Sequence, residues 1–233
     1  MKVSGFFHYV ISAPNAHERR ETVLANFKAH GLEPQFFEAV MGNKLPSEKL
    51  KNMKVDTGFM SLGEVGCILS HLGIYKKLLK SHEPYVFIFE DDSYLTDLFF
   101  EDLPEIQSFM ESHTDPVVLI LYKTVAHTHP VIYKSGRPFI LRTLGGTASH
   151  GYVINRKAAE NMLRVQSPPR MEIDAWAQYY KLNLLNIYCT ENRLVHLDEK
   201  TAQESIIDKI APRIEKDRAY VKKNKAATHE RIL

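Results

Sequence analysis

Three adjacent carboxylates, Glu90-Asp91-Asp92, directly follow an unbroken apolar run, Tyr85-Val-Phe-Ile-Phe89. Carboxylates this close repel one another and stay ionised only beside a cation, hydrogen-bond donors or open water. If the run is a strand, its period of two sends Glu90 and Asp92 to one side and Asp91 to the other. Two carboxylates on one side offer oxygen ligands for Mg2+ or Mn2+, ions that keep waters and phosphate oxygens in their shell. The triplet also fits a solvated turn in which one Asp caps the next helix.

A second group lies in Gly63-Glu-Val-Gly-Cys-Ile-Leu-Ser-His71. Glu64 and His71 are seven residues apart and share a face if the segment is helical. Gly63 and Gly66 each cost roughly 1 kcal/mol relative to Ala inside a helix, which points to something packed closely against them. The plainer reading makes Glu64 a capping-box acceptor and His71 a half-buried structural histidine. The stretch from Leu144 to Ile154, with Gly146 and Thr147, is glycine-rich and lets backbone approach a ligand. It has neither GxGxxG spacing nor the Lys-Ser/Thr ending of a P-loop. Asp174 follows Pro168-Pro169 and reads as lying just inside a short helix, either as an ordinary first-turn acid or as an active-site carboxylate. Trp176 offers a ring to an acceptor sugar or joins the core. His196 is a surface histidine or a late metal ligand. Arg19 and Arg20 suit bidentate pairing with a diphosphate, or a solvated helix face.

The elements that must position these residues follow from periodicity. Residues 6–11 and 35–40 read as strands, separated by a helix over 16–30 that Asn15 caps and Gly31 stops. Residues 41–60 read as a loop. Ser61 and Glu64 form a capping box that opens the clearest helix, running to His82. Strands are expected at 85–89, 117–122, 149–154, 184–188 and 194–197, and helices at 100–112, 156–165 and 173–181. Residues 131–133 and 139–143 read as a hairpin turning at Gly136. Strands alternating with helices make one α/β sandwich around a largely parallel sheet. Ligands of such sheets bind outside the carboxyl ends of the strands, where the acidic triplet stands.

The ordered motifs V-I-S, E-R-R, F-F-E-A-V, L-G-E-V-G-C-I-L-S-H, F-E-D-D, G-T-A-S-H-G-Y-V-I-N-R-K-A-A and E-I-D resemble glycosyltransferase family 25, over residues 7–196. That family comprises bacterial lipopolysaccharide and lipooligosaccharide transferases related to the galactosyl-transferring domains of collagen-modifying enzymes. The resemblance implies a GT-A-type, Rossmann-like sandwich around a mainly parallel mixed sheet. It also implies a UDP-sugar donor (commonly UDP-galactose), Mn2+ or Mg2+, and inversion at the anomeric carbon. Carried over by position, Ser12, Arg19 and Arg20 meet the nucleotide, and Ala39 and Val40 lie beside the uracil. His71, Gly146 and Thr147 join the donor pocket. Asp92, Glu90 and His196 form the metal set. The family's D-x-D pattern becomes E-D-D here, leaving Glu90 and Asp91 as alternatives for the ribose. Ser149-His150 intervene where the family often runs from G-T-A into G-Y.

The chemistry fits these residue types. Departure of UDP develops negative charge on a β-phosphate oxygen, which a metal held by Asp92 would stabilise. Inversion needs a base on the opposite face of the sugar. Asp174 is that base in this reading, kept ionised by a helix N-terminus, with Glu64 in reserve.

Composition sets the remaining bounds. The chain has 233 residues, 44% hydrophobic and 25% charged, which excludes disordered, collagen-like and disulfide-scaffold classes. No apolar run approaches the roughly 20 residues that span a bilayer, and the N-terminus reads as a strand, not as a signal peptide. Cys67 and Cys189 read as reduced core thiols of a cytosolic protein. Residues 209–233 hold eight Lys/Arg and three Asp/Glu, a balance of +5, against −3 for residues 1–208. The expected division is a transferase domain over 1–208 and a basic, helical tail over 209–233. The acidic body argues against nucleic acid, and the tail suits peripheral contact with anionic lipid. The expected partners are a nucleotide-sugar donor and a glycolipid oligosaccharide acceptor, in the bacterial cytoplasm at the inner face of the membrane. A sugar nucleotidyltransferase would carry a glycine-rich phosphate loop where this chain reads Ser12-Ala-Pro-Asn-Ala-His-Glu-Arg-Arg20. A catalytically silent glycan binder would have no need of the acids at 90–92 and 174.

Overall fold

The computed structural model describes residues 6–197. The basic segment 209–233 and the expected boundary at 208 lie outside the described residues. Strand β1 (His8–Ser12) leads into helix α1 (His17–Ala29) and strand β2 (Phe36–Glu38). The N-cap of α1 is Ala16, without a side-chain cap, so Asn15 does not serve as expected. Gly31 does end the helix. Its φ of +72° is left-handed, and the Gly31 and Leu32 amides donate to the Lys28 and Phe27 carbonyls, both at 3.0 Å. The region expected to be loop holds a 3-10 turn (Gly42–Lys44) and helix α2 (Ser47–Asn52).

Helix α3 (Leu62–Lys80) opens on the expected capping box. Strands β3 (Tyr85–Glu90) and β4 (Ser93–Leu95) follow, then helix α4 (Asp97–Glu111), capped by Thr96, and strand β5 (Val117–Ile120). Strands β6 (His127–Lys134) and β7 (Arg137–Thr143) form a longer hairpin than expected. It turns at Ser135 and Gly136, both at positive φ, the arrangement whose twist matches the strands. Strand β8 (Gly151–Asn155), helices α5 (Arg156–Val165) and α6 (Trp176–Lys181), and strands β9 (Asn186–Thr190) and β10 (Val195–Leu197) complete the described chain. Short β4, unanticipated from the sequence, pairs antiparallel with β10.

The main sheet runs β2-β1-β3-β8-β5-β9-β7-β6. β2, β1 and β3 are parallel, β8 reverses, β5 and β9 resume the first direction, β7 reverses and β6 resumes. Six of the eight strands therefore share one direction, and the Rossmann-like α/β sandwich around a mixed sheet is the architecture expected. β3 shows how the two faces are filled. Val86 and Ile88 pack with α3, α5 and α6, while Tyr85, Phe87 and Phe89 pack with α1 and α4. Both sets are apolar, as a strand covered on both faces requires. The Arg156 guanidinium donates to the Leu78, Leu79 and Ser81 carbonyls at 2.8–3.0 Å, satisfying the C-terminal carbonyls of α3. That ties α5 to α3 at the amino end of β3, opposite the edge where the acids emerge.

Candidate active site

The carboxyl end of β3 lies beside Ser12 at the end of β1 and beside the start of β8, where Gly151 pairs with Phe89. Because β8 runs against β3, the 144–150 segment arrives at the same edge. Strand alternation then divides the triplet. Glu90 follows Val86 and Ile88 onto the α3 face, and its Oε1 stands 3.5 Å from His71 Nε2. Asp91 follows Phe87 and Phe89 onto the α1 face, where Arg19 Nη1 reaches Asp91 Oδ1 at 3.2 Å. β3 ends at Glu90, so the alternation does not carry to Asp92, which sits in the turn before β4.

Glu90 anchors a buried polar chain. Ser149 Oγ donates to Glu90 Oε1 at 2.5 Å, His71 Nδ1 meets the Tyr152 hydroxyl at 2.7 Å, and Tyr152 meets the Tyr75 hydroxyl at 2.6 Å. Burial pushes the Glu90 carboxyl up, but His71, Ser149 and His150 together outweigh it and hold the group below its ordinary value. Asp92 has only the Arg19 charge and its own backbone amide to hold it down. Burial, then Glu90 and Asp91, push it from 3.8 to about 7. His150 stacks on Tyr122 with centroids 4.1 Å apart, and burial lowers it to about 4. It is neutral at pH 7.

Four buried side-chain atoms at this edge have no hydrogen-bond partner among the described residues: His71 Nε2, Asp91 Oδ2, Asp92 Oδ1 and His150 Nδ1. Unpartnered buried polar atoms are costly and few in native proteins. Two carboxylate oxygens left bare beside a third acid fit a hard divalent cation, so Asp91 and Asp92 suit the metal that the resemblance implied. His196 is exposed on β10, opposite Tyr94, and close enough to act electrostatically on His150. Its ring nitrogens do not converge with Glu90 and Asp92 within 4.8 Å; among the described residues that convergence is made by Cys67, His71 and Glu90. Cys67 is free and half-buried, packed against the core on the α3 side of the sheet, and Cys189 is free and fully buried.

The first-strand residues hold one another. Arg20 Nε donates to Ser12 Oγ at 2.9 Å and Nη2 to the Ser12 carbonyl at 3.3 Å. The Ala39 amide donates to the Ser12 carbonyl at 2.9 Å, and the Val40 amide to Ser70 Oγ at 2.8 Å. A Cβ on Gly66 would stand 2.3 Å from the Val40 carbonyl oxygen, which explains that glycine by close packing. Gly146 is likewise explained by Thr124, 2.9 Å from where its Cβ would stand. The Thr147 carbonyl accepts from the Tyr122 hydroxyl at 3.0 Å.

Asp174 requires a correction. It precedes Ala175, the N-cap of a helix that begins only at Trp176. Burial raises its pKa, only partly offset by backbone donors that include the Ala148 amide, 2.5 Å from Oδ2. Glu64 Oε2 accepts from the Ser61 amide at 2.7 Å, so its carboxylate serves the capping box. Trp176 is fully buried, edge-on to Tyr152, with its Nε1 donating to the Ala148 carbonyl at 3.1 Å. It belongs to the core. Sequence reasoning missed Cys67, Tyr122, Ser149 and Tyr152 as members of the site. A Cys at i and a His at i+4 on one helix face was the available signal for the first.

This edge of an α/β sandwich thus gathers an acidic strand end, an arginine-held first strand and a half-buried acid on a neighbouring loop. Glycosyltransferase family 25 (LPS biosynthesis protein) matches residues 6–177, and this chain belongs to that family. The lacto-N-neotetraose biosynthesis glycosyltransferase LgtB of Neisseria meningitidis serogroup B is 30% identical over 165 residues, covering 65% of this chain and 58% of that protein. The lipooligosaccharide biosynthesis protein lic2B of Haemophilus influenzae is 27% identical over 163 residues, covering 66% of this chain and 61% of that protein. The matches thus span less than two thirds of either relative. A solved glycosyltransferase involved in glycosylating the major capsid of PBCV-1 has a TM-score of 0.39 and 12% identity, over 78% of this chain and 82% of that one. At that score the likeness carries no weight.

Proposed function

We propose that the chain is an inverting, divalent-metal-dependent glycosyltransferase. It moves a hexose, galactose in the first instance and glucose as the alternative, from a UDP-sugar to a lipooligosaccharide or lipopolysaccharide acceptor. The observation that carries the reading is the pair of bare, buried oxygens of Asp91 and Asp92 beside Arg19, at the carboxyl edge of a family-25 sheet. Asp92 and Asp91 would hold the ion, which supplies charge neutralisation as the diphosphate departs. Ser12, Ala39 and Val40 line the edge for the nucleoside, with Arg20 bracing Ser12. Asp174 accepts the acceptor hydroxyl's proton. One of its oxygens is oriented by the Ala148 amide, and burial makes it a stronger base than an exposed Asp. Tyr122 and Trp176 clamp the Ala148 carbonyl and so hold the amide that aims it. The +5 balance of residues 209–233 supports peripheral attachment at the cytoplasmic face of an anionic membrane, and no helix among the described residues is long and apolar enough to cross one.

The test is a thermal-shift screen of UDP, UDP-galactose and UDP-glucose, each with and without Mn2+, followed by transfer to lipooligosaccharide and determination of the product anomer. Stabilisation by a UDP-sugar with Mn2+ and an inverted linkage are expected. Stabilisation by free sugar alone, without nucleotide or metal, would replace this reading with a glycan binder.

A further inference from the structure

Cys67 and His71 stand four residues apart on α3, hence on one helix face. Their ligand atoms and a Glu90 carboxylate oxygen all lie within 4.8 Å of one another. His71 is fully buried, its Nδ1 is engaged by the Tyr152 hydroxyl, and its Nε2 has no hydrogen-bond partner. The 3.5 Å from Nε2 to Glu90 Oε1 is at the limit of a hydrogen bond but suits two ligands of one ion. With Zn–N and Zn–O bonds of about 2.0–2.2 Å and Zn–S of about 2.3 Å, tetrahedral geometry separates ligand atoms by roughly 3.3–3.7 Å.

We propose that Cys67, His71 and Glu90 form a transition-metal site for Zn2+, distinct from the all-oxygen site of Asp91 and Asp92. A sulfur, nitrogen and oxygen set favours Zn2+ or Co2+ over Mn2+ or Mg2+. The second shell is in place. The Tyr75–Tyr152 hydroxyl pair orients the His71 ring through Nδ1, and Ser149 donates to the ligating carboxylate. Burial first, then the carboxylates of Glu90, Asp174 and Glu64, push the Cys67 thiol up, and the negative field of those three acids is one that a bound cation would neutralise. Three protein ligands leave a fourth position for water or substrate, as in exchangeable zinc sites. On binding, Cys67 Sγ gives its proton to solvent and bonds the ion as thiolate.

Co2+ is titrated into the full, metal-stripped chain, and absorbance is followed in the thiolate-to-cobalt charge-transfer region and the visible d–d region. One equivalent should produce both signals, and Zn2+ should displace them. Cys67→Ser should abolish the charge-transfer band, and His71→Gln should weaken binding about 10–100-fold, the cost typical of damaging a metal shell. Circular dichroism melts confirm that each variant is folded, and Cys189→Ala, which removes the other thiol, should keep the band. Absence of the band in wild type, its survival in folded Cys67→Ser, or its loss in Asp92→Asn would overturn the site. The readout needs no donor or acceptor, so its failure leaves the proposed transfer reaction standing.

Discussion

Replacing Asp92 by Asn should stabilise the protein while disabling it, and the gain should depend on pH. In the fold, burial and the neighbouring Glu90 and Asp91 raise Asp92 from 3.8 to about 7. Below pH 3.8 both folded and unfolded chains carry the proton, and Asp92 costs nothing. Between 3.8 and 7 the unfolded chain ionises while the folded one keeps its proton, so stability falls as pH rises. Above 7 both are ionised, and the full cost is on the order of 4 kcal/mol. Most of the change accessible to experiment lies between pH 5 and 8, where linkage gives roughly 2–3 kcal/mol. Urea melts of wild type and Asp92→Asn at both pH values isolate this contribution, because other titrating groups are common to the two proteins. The variant's advantage should grow by that amount at pH 8. Mn2+ should raise the wild-type melting temperature more at pH 8 than at pH 5 and leave the variant unmoved. Turnover of the variant should fall at least about 100-fold, the scale of losing one dominant electrostatic contributor. An equal stability offset at pH 5 and pH 8 would refute the argument, since the carboxylate would then carry no buried-charge cost.

Asp174→Asn keeps an oxygen for the Ala148 amide and removes the basicity, so kcat should drop by about 100-fold with UDP binding unchanged; calorimetry showing lost UDP binding would move Asp174 to the donor site. Glu64→Gln preserves the capping box, so melting temperature and kcat should both stay near wild type, and a large kcat loss at full stability would make Glu64 the base. Gly66→Ala drives a Cβ into the Val40 carbonyl and should cost about 3 kcal/mol or more in a denaturant melt, because backbone on both sides must shift; a neutral result would mean that the 40–42 segment is free to move. For His150, lowered from 6.5 to about 4 by burial, the contribution is present above pH 6.5 and lost as pH falls towards 4, by on the order of 3 kcal/mol. His150→Phe keeps the ring on Tyr122 and should flatten that acid-side loss, and an unchanged acid limb in urea melts would contradict it.

Local signals in the sequence were enough for the elements that open the site. The Ser61–Glu64 box and the Gly31 stop depend on hydrogen bonds within a few residues, and both are present as read. The apolar run 85–89 needed only its composition to declare a strand covered on both faces. Alternation placed Glu90 and Asp91 on opposite faces and failed at Asp92, because the strand had ended. Asn15 and the acid at 174 misled for a related reason. A capping residue type is permissive, and whether the chain turns helical there is settled by what it packs against.

Cys67, Ser149 and Tyr152 stand inside short motifs, but nothing local says which distant segment each of them meets. Tyr152 reaches His71 across 81 positions, and Ser149 reaches Glu90 across 59, only because β8 enters the sheet antiparallel beside β3. Trp176 became core and not a sugar platform because α6 folds back over Tyr152. The pKa directions follow the same division. Residue type sets the starting value, whereas burial, which only the packed chain creates, moved Asp92 and Asp174 up and His150 down. The sequence by itself determined which side chains were available and where local backbone hydrogen bonds began and stopped. Strand order, a product of hydrophobic faces meeting over the whole chain, decided which of those side chains share a site and how strongly each holds its proton.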